Sequence, residues 1–318
     1  MRRRALRLNR SIAPRCERPG PAGRRRRRSR TTGTAFTLLE LLVAIAIIAT
    51  LLALLLPALG SARSEGTKVK CLANMRELGI AFSTYSTDDP QGFTSPVHPR
   101  AEISWWYDGE FEYGGATGML VYASPDFIAE NRLLNKYLFQ DGRNTKWNLY
   151  QCLGDSGIPE APVNFDDWFL GAQVRNRPTH VTTGSSYRLN NHINFTNNTP
   201  NYKKHFYGPY MRPATQVPDA ATTVILEEAI TEVAKWNAPT YRTMGWHRKA
   251  NLFNVLFVDG HAGAIHLAGQ QDLSDQYGGY WVLRGENWRM DCYPRPPVCD
   301  LPRDDAQCAI SIGGGTGD

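Results

Sequence analysis

Three sets of residues in this 318-residue chain have types and spacing that could do chemistry. The first is Glu40, a lone carboxylate in the almost wholly apolar run Phe36–Leu59, where Thr37 and Thr50 are the other polar interruptions. A carboxylate in such a run either sits at headgroup depth or needs a cation from another chain. The second set is six cysteines: Cys16, Cys71, Cys152, Cys292, Cys299 and Cys308. They form no CxxC pair, which argues against zinc-ribbon and thioredoxin chemistry. The third set is His247, Asp259 and His261, with Gly260 between the last two. These types suit zinc, and Asp259 and His261 would flank a tight turn. They read equally as a turn former with two surface or packing histidines. There is no GxSxG, no P-loop and no HExxH, so no enzyme is expected.

The charge of the chain is divided. Thirteen of its 36 basic residues, all Arg, and one of its 30 acids lie in residues 1–35, leaving 23 basic against 29 acidic residues beyond. The net charge of +6 is therefore a property of the leader, and the acidic remainder argues against nucleic acid as a partner of the whole chain. Residues 1–35 hold the run Arg24–Arg28 with Pro14, Pro19 and Pro21, and read as a targeting segment outside the fold. A basic arm for nucleic acid or anionic lipid is the other reading.

Phe36–Leu59 would rise about 36 Å as a helix, enough to cross a hydrocarbon core of about 30 Å. The Arg-rich side is expected to stay in the cytoplasm, with everything after residue 60 outside. A secretory signal peptide is the rival, with Ala58 and Gly60 as small residues at its cleavage site, although this run is longer than such a core. The helical pattern continues: Leu59, Ala62, Val69, Leu72, Met75, Leu78 and Phe82 recur mostly at three and four. One helix is expected from Phe36 to about Tyr85, stopped by Asp88-Asp89-Pro90 and Gly92.

GTAFTLLELLVAIAIIATLLALLLPAL, from Gly33 to Leu59, resembles the N-terminal signal of type IV prepilins and type II secretion pseudopilins. The resemblance implies that a prepilin peptidase cuts between Ala35 and Phe36 and that the new N-terminus is methylated. Glu40 then stands fifth in the mature chain, and Pro57 twenty-second, where many pilins kink. The residue before Phe36 is Ala35 where the family has Gly, and the nearest glycine is Gly33. A new α-amino group at Phe36 could pair with Glu40 of a neighbouring subunit, and that pair would favour one assembly register.

Beyond residue 90, strand-like runs are expected at Gly118–Tyr122, Trp147–Cys152, Thr222–Glu227, Asn254–Val258 and Ala264–Leu267, and a second helix at Phe127–Phe139. Asp259-Gly260 between two apolar runs signals a two-residue hairpin. His247, eleven residues, then Asp259-Gly260-His261 resembles the C-terminal His-x(n)-Asp-Gly motif of secreted prepilin-like proteins of the Planctomycetes–Verrucomicrobia type. CLANMRELG (71–79), Cys152-x-x-Asp155, SSYRLN (185–190) and PDAATTVILEE (218–228) agree with it in order.

The organisation expected is a leader (1–35), a transmembrane half-helix (36–59), an exported amphipathic half (60–86), an α+β head (87–290) and an irregular Cys-containing tail (291–318). The fold expected is pilin-like, a long helix on an antiparallel sheet. Outside the membrane a disulfide-permissive compartment is implied, and Cys71 with Cys152 is the pairing expected to tie helix to head. Five cysteines lie there, so one is free or pairs between chains; Cys292–Cys299 and Cys299–Cys308 both stand open. No cofactor is required. Zinc at His247, Asp259 and His261, and calcium at Asp300, Asp304 and Asp305 as in major pseudopilins, are the candidates. The partners implied are the prepilin peptidase, other pilin-like subunits and the bacterial inner membrane, in a structural role. The alternative is a membrane-anchored binding module, with Trp105-Trp106-Tyr107 as a sugar-stacking platform.

Overall fold

Helix α1 (Leu38–Asp88) carries 51 residues. The computed structural model describes residues 37–96, 111, 113–115, 132–138, 147–158, 177–196, 203–236, 242–267, 283–295 and 298–299. At the start of α1, the Thr37 amide and hydroxyl both donate to Glu40 Oε2, at 2.8 and 2.9 Å, and the Glu40 amide donates back to Thr37 Oγ1. This is a capping box, two orphan donors of the first turn satisfied reciprocally. Thr50 satisfies its hydroxyl on Ala46 O, so neither threonine is a loose polar group in the apolar run. From Leu38 to Leu54 the large apolar side chains are exposed, and the helix is long and apolar enough to cross a membrane.

The second half of α1 behaves differently. Cys71, Met75, Leu78, Phe82 and Tyr85 are buried at helical spacing. The expected stripe is corrected here: Leu59, Ala62 and Val69 are exposed. Val69 lies about 200° around the helix from Cys71, off the face that the sheet covers. The helix stays helical through Pro57, the residue expected to bend it, and ends at Asp88. There Asp89 accepts from the Gln91 and Phe93 amides and Gly92 turns left-handed at φ +65°.

The sheet beneath has the order β1-β4-β5-β6 and is antiparallel throughout: β1 (Tyr187–Leu189), β4 (Val224–Glu228), β5 (Leu252–Phe257) and β6 (Ala262–His266). Every residue of β1 and β4 is buried, so both faces of these strands are covered. A second antiparallel sheet joins β2 (Ile193–Thr196), β3 (Lys203–Phe206) and β7 (Val298–Cys299). The short helices are α2 (Asn135–Leu138), α3 (Thr179–Thr183) and α4 (Thr231–Trp236). The architecture is α+β, with one long helix and a four-stranded antiparallel sheet.

Three local expectations change. Trp147–Cys152 is not a strand: Trp147–Tyr150 is a 3-10 turn, and the Asn148 and Gln151 carbonyls both accept from Asn74 Nδ2 of α1. The helix expected at Phe127–Phe139 is cut short. Arg132–Leu134 is a turn because the Leu134 amide bonds Tyr113 O and the Arg132 guanidinium bonds Gly114 O and Thr183 O, leaving only α2 helical among the described residues. The β5–β6 connection is a hairpin, but with three loop residues: Gly260 N bonds Phe257 O, Phe257 N bonds His261 O, and Gly260 sits at φ +89°. That is a type I turn closed by a left-handed glycine. The expected boundary at residue 290 marks no break, since Asp291 and Cys292 are buried and β7 pairs with β3. Gly118–Tyr122 lies outside the described residues.

Candidate functional site

β4 ends in two adjacent buried acids, Glu227 and Glu228, and neighbours on a strand face opposite ways. Glu227 takes the charge pairs. Arg188, its cross-strand partner on β1, and Lys235 of α4 both reach it, and each also pairs with Glu232. These four charges neutralise one another in the interior, the condition for burying any of them.

Glu228 faces the helix side. Its Oε1 accepts from His247 Nε2 at 2.7 Å and from Asn254 Nδ2 at 3.0 Å, and its Oε2 accepts from the Asn254 amide. Cys152 Sγ lies 3.6 Å from His247 Nε2 and 3.8 Å from Glu228 Oε1. Cys152 is bonded to Cys71 of α1, with Cα atoms 5.1 Å apart, the pairing the sequence suggested. Cys71, Cys152, Glu228, His247 and Asn254 are all buried. His247 is held from its own loop, where Arg248 and Asn251 take left-handed backbone and Asn251 bonds Thr243. Its carbonyl accepts from Ser64 Oγ of α1 at 2.8 Å. Tyr187, opposite Glu228, bonds Cys71 O, and burial, then the Glu228 charge, push its phenol well above the ordinary range.

The arrangement does not make a cysteine-type triad. Glu228 holds the same imidazole nitrogen that faces the sulfur, whereas a triad needs the carboxylate on the other one. Nor does the neighbouring Ser186, His180 and Asp155 group make one. Ser186 donates directly to Asp155 at 2.6 Å, and the same carboxylate accepts from the Gly157, Thr179 and His180 amides. Asp155 of the Cys152-x-x-Asp155 segment is thus a hub for chain turns, beside the disulfide.

The structure separates the His247, Asp259 and His261 set. Asp259 and His261 pair with each other at 2.6 Å on the hairpin tip, roughly half-exposed, with the His261 ring stacked on Phe257. His247 instead joins Glu228 and Asn254 in the interior. What Gly260 does is pack: its backbone would lie 3.2–3.3 Å from a Cβ at Gly79, as Leu256 would at 3.0 Å. The two ends of the motif therefore meet α1 at two points, the His247 carbonyl at Ser64 and Gly260 at Gly79, about 22 Å apart along the helix.

Glu40 stands in the capping box described above, and Ala35, Phe36, Trp105–Tyr107 and Asp300, Asp304 and Asp305 lie outside the described residues. Trp246 and Trp288 are buried. Cys292 is a free buried thiol, so it does not pair with Cys299, and burial pushes it to about 11. Cys308 lies outside the described residues. Sequence reasoning missed Glu228 and Asn254. The signal was the adjacent acid pair ending a strand of otherwise apolar residues, since only a paired acid is tolerated there. No family model, no curated protein and no solved structure matches this chain.

Proposed function

We propose that this chain is a pilin-like structural subunit, anchored in the bacterial inner membrane by the first half of α1 and able to join a filament of similar subunits through it. It belongs, on this reading, with the pseudopilins of type II secretion or type IV pilus-like assemblies. The observation that carries the reading is the exposure of the large apolar side chains from Leu38 to Leu54, on a helix whose later residues are buried against a sheet. Such a surface needs lipid or neighbouring helices to cover it. The prepilin-like signal around Phe36 and Glu40 supports the same conclusion. Cleavage before Phe36 leaves the capping box intact, since that box uses only Thr37 and Glu40.

On this reading the His247-to-Gly260 motif fixes the head to its helix, so that force on the helix reaches the sheet through a disulfide and two close contacts. The orientation is N-terminus in the cytoplasm and head outside, in a disulfide-permissive compartment. The test is mass spectrometry of the mature chain from its native membrane. A chain starting at a methylated Phe36 is expected. A chain starting at Ser61, the product of a signal peptidase, would overturn the reading.

A further inference from the structure

We propose that Cys71, Cys152, His247 and Glu228 form a zinc site when the disulfide between the cysteines is reduced. The two cysteine sulfurs and a His247 ring nitrogen all lie within 4.8 Å of one another, in the interior. Zn–S and Zn–N bonds of about 2.3 and 2.05 Å at a tetrahedral angle put sulfur and nitrogen about 3.6 Å apart. The observed Cys152 Sγ to His247 Nε2 distance is 3.6 Å. A carboxylate oxygen on the same ion would stand about 3.5 Å from sulfur, and Glu228 Oε1 stands at 3.8 Å from Cys152 Sγ. The change required is local: opening the sulfur pair, shifting the His247 ring proton from Nε2 to Nδ1 so that Nε2 offers its lone pair, and moving Glu228 Oε1 away from His247 Nε2.

The surroundings suit a closed, structural site. Asn254 orients Glu228 with its amide and its side chain, as partners of ligands do. Ser64 fixes the His247 backbone, and Gly154 leaves its ring room, since a Cβ there would meet the ring at 3.2 Å. Gly154, Trp246 and Arg248, chain neighbours of the proposed ligands, line a cleft of about 710 Å3. The exchange balances. An external dithiol supplies two electrons and two protons, becomes a disulfide, and leaves two thiols on Cys71 and Cys152. Zinc then displaces both protons, so two thiolates and one divalent cation replace a neutral disulfide with no change of buried charge. Disulfide and zinc are alternative staples between α1 and the head.

The test uses the full chain in detergent micelles, reduced by a phosphine and offered zinc, with cobalt as the spectroscopic probe. One zinc per reduced chain is expected, with thiolate-to-cobalt charge-transfer bands, and none per oxidised chain. His247→Gln is expected to weaken binding about 10-fold or more, and Cys292→Ser is expected to leave it unchanged. A reduced chain that keeps its circular dichroism and binds no zinc would overturn the proposal, as would equal binding by His247→Gln. If reduction unfolds the chain, zinc is expected to restore the signal, and failure to do so overturns it equally.

Discussion

Between Leu38 and Leu54 helix α1 is apolar on every side, and between Cys71 and Tyr85 it buries one side. The first stretch has no preferred apolar face, so apart from Glu40 nothing in it singles out a partner surface, and its polar groups are satisfied within the helix itself, by the capping box and the Thr50 bond to Ala46. The second stretch has one face, and that face carries the glycine, the cysteine and the asparagine that the head needs. The lesson is that one helix follows two solvents. Its early residues are chosen for a medium, its later ones for particular neighbours.

Substitutions in the second stretch should therefore change folding of the head, and substitutions in the first should not. The largest effect is expected from Cys71→Ser with Cys152→Ser. The bond closes a loop across 81 residues, and its loss is expected to cost about 4 kcal/mol in denaturant unfolding. Next is Gly79→Leu. The side chain would enter space held by Leu256 and the Gly260 backbone, and a loss of about 2 kcal/mol is expected by the same measurement.

A smaller, pH-dependent effect is expected at Asp291. Burial raises its carboxyl, but the hydrogen bond from Arg284 and the charges of Arg289 and Arg284 outweigh it, so the pKa lies below the ordinary value. A folded pKa below the unfolded one gives stability that is present above about pH 4 and lost as pH falls through the folded value. Asp291→Asn should therefore flatten the acid limb of a stability-against-pH curve. The smallest effect on the head is expected from Ile48→Ser, within about 0.5 kcal/mol, because Ile48 is exposed in the apolar stretch. A loss as large as that of Gly79→Leu would erase the distinction between the two stretches.

The sequence made some of this legible. The apolar run, the helix stop at Asp89 and Gly92, the β5–β6 hairpin and the Cys71–Cys152 pairing could all be read, because each rests on local chemistry or on compartment. The capping box too is written in the sequence, as Thr37-x-x-Glu40. The turn at Trp147–Tyr150 was not legible, since Asn74, more than 70 residues away, turns its carbonyls aside. Nor was the pairing of His247 with Glu228 rather than Asp259, which depends on a sheet register that puts Glu228 beside Asn254. Spacing along the chain suggested the wrong carboxylate because β5 carries the Asp259 turn away from the His247 loop.

The capping box also sharpens the question about Glu40. Both Glu and Gln can complete such a box, so Glu40→Gln keeps the helix start and removes only the charge. The decisive measurement is the amount of this variant found in the sheared filament fraction, or crosslinked to neighbours, beside the native chain. The account predicts native chain in that fraction and little or no Glu40→Gln, with cleavage, membrane insertion and head stability unchanged. Equal incorporation of the variant would mean that Glu40 serves only its own helix, and native chain recovered solely as isolated molecules would contradict the role of subunit itself.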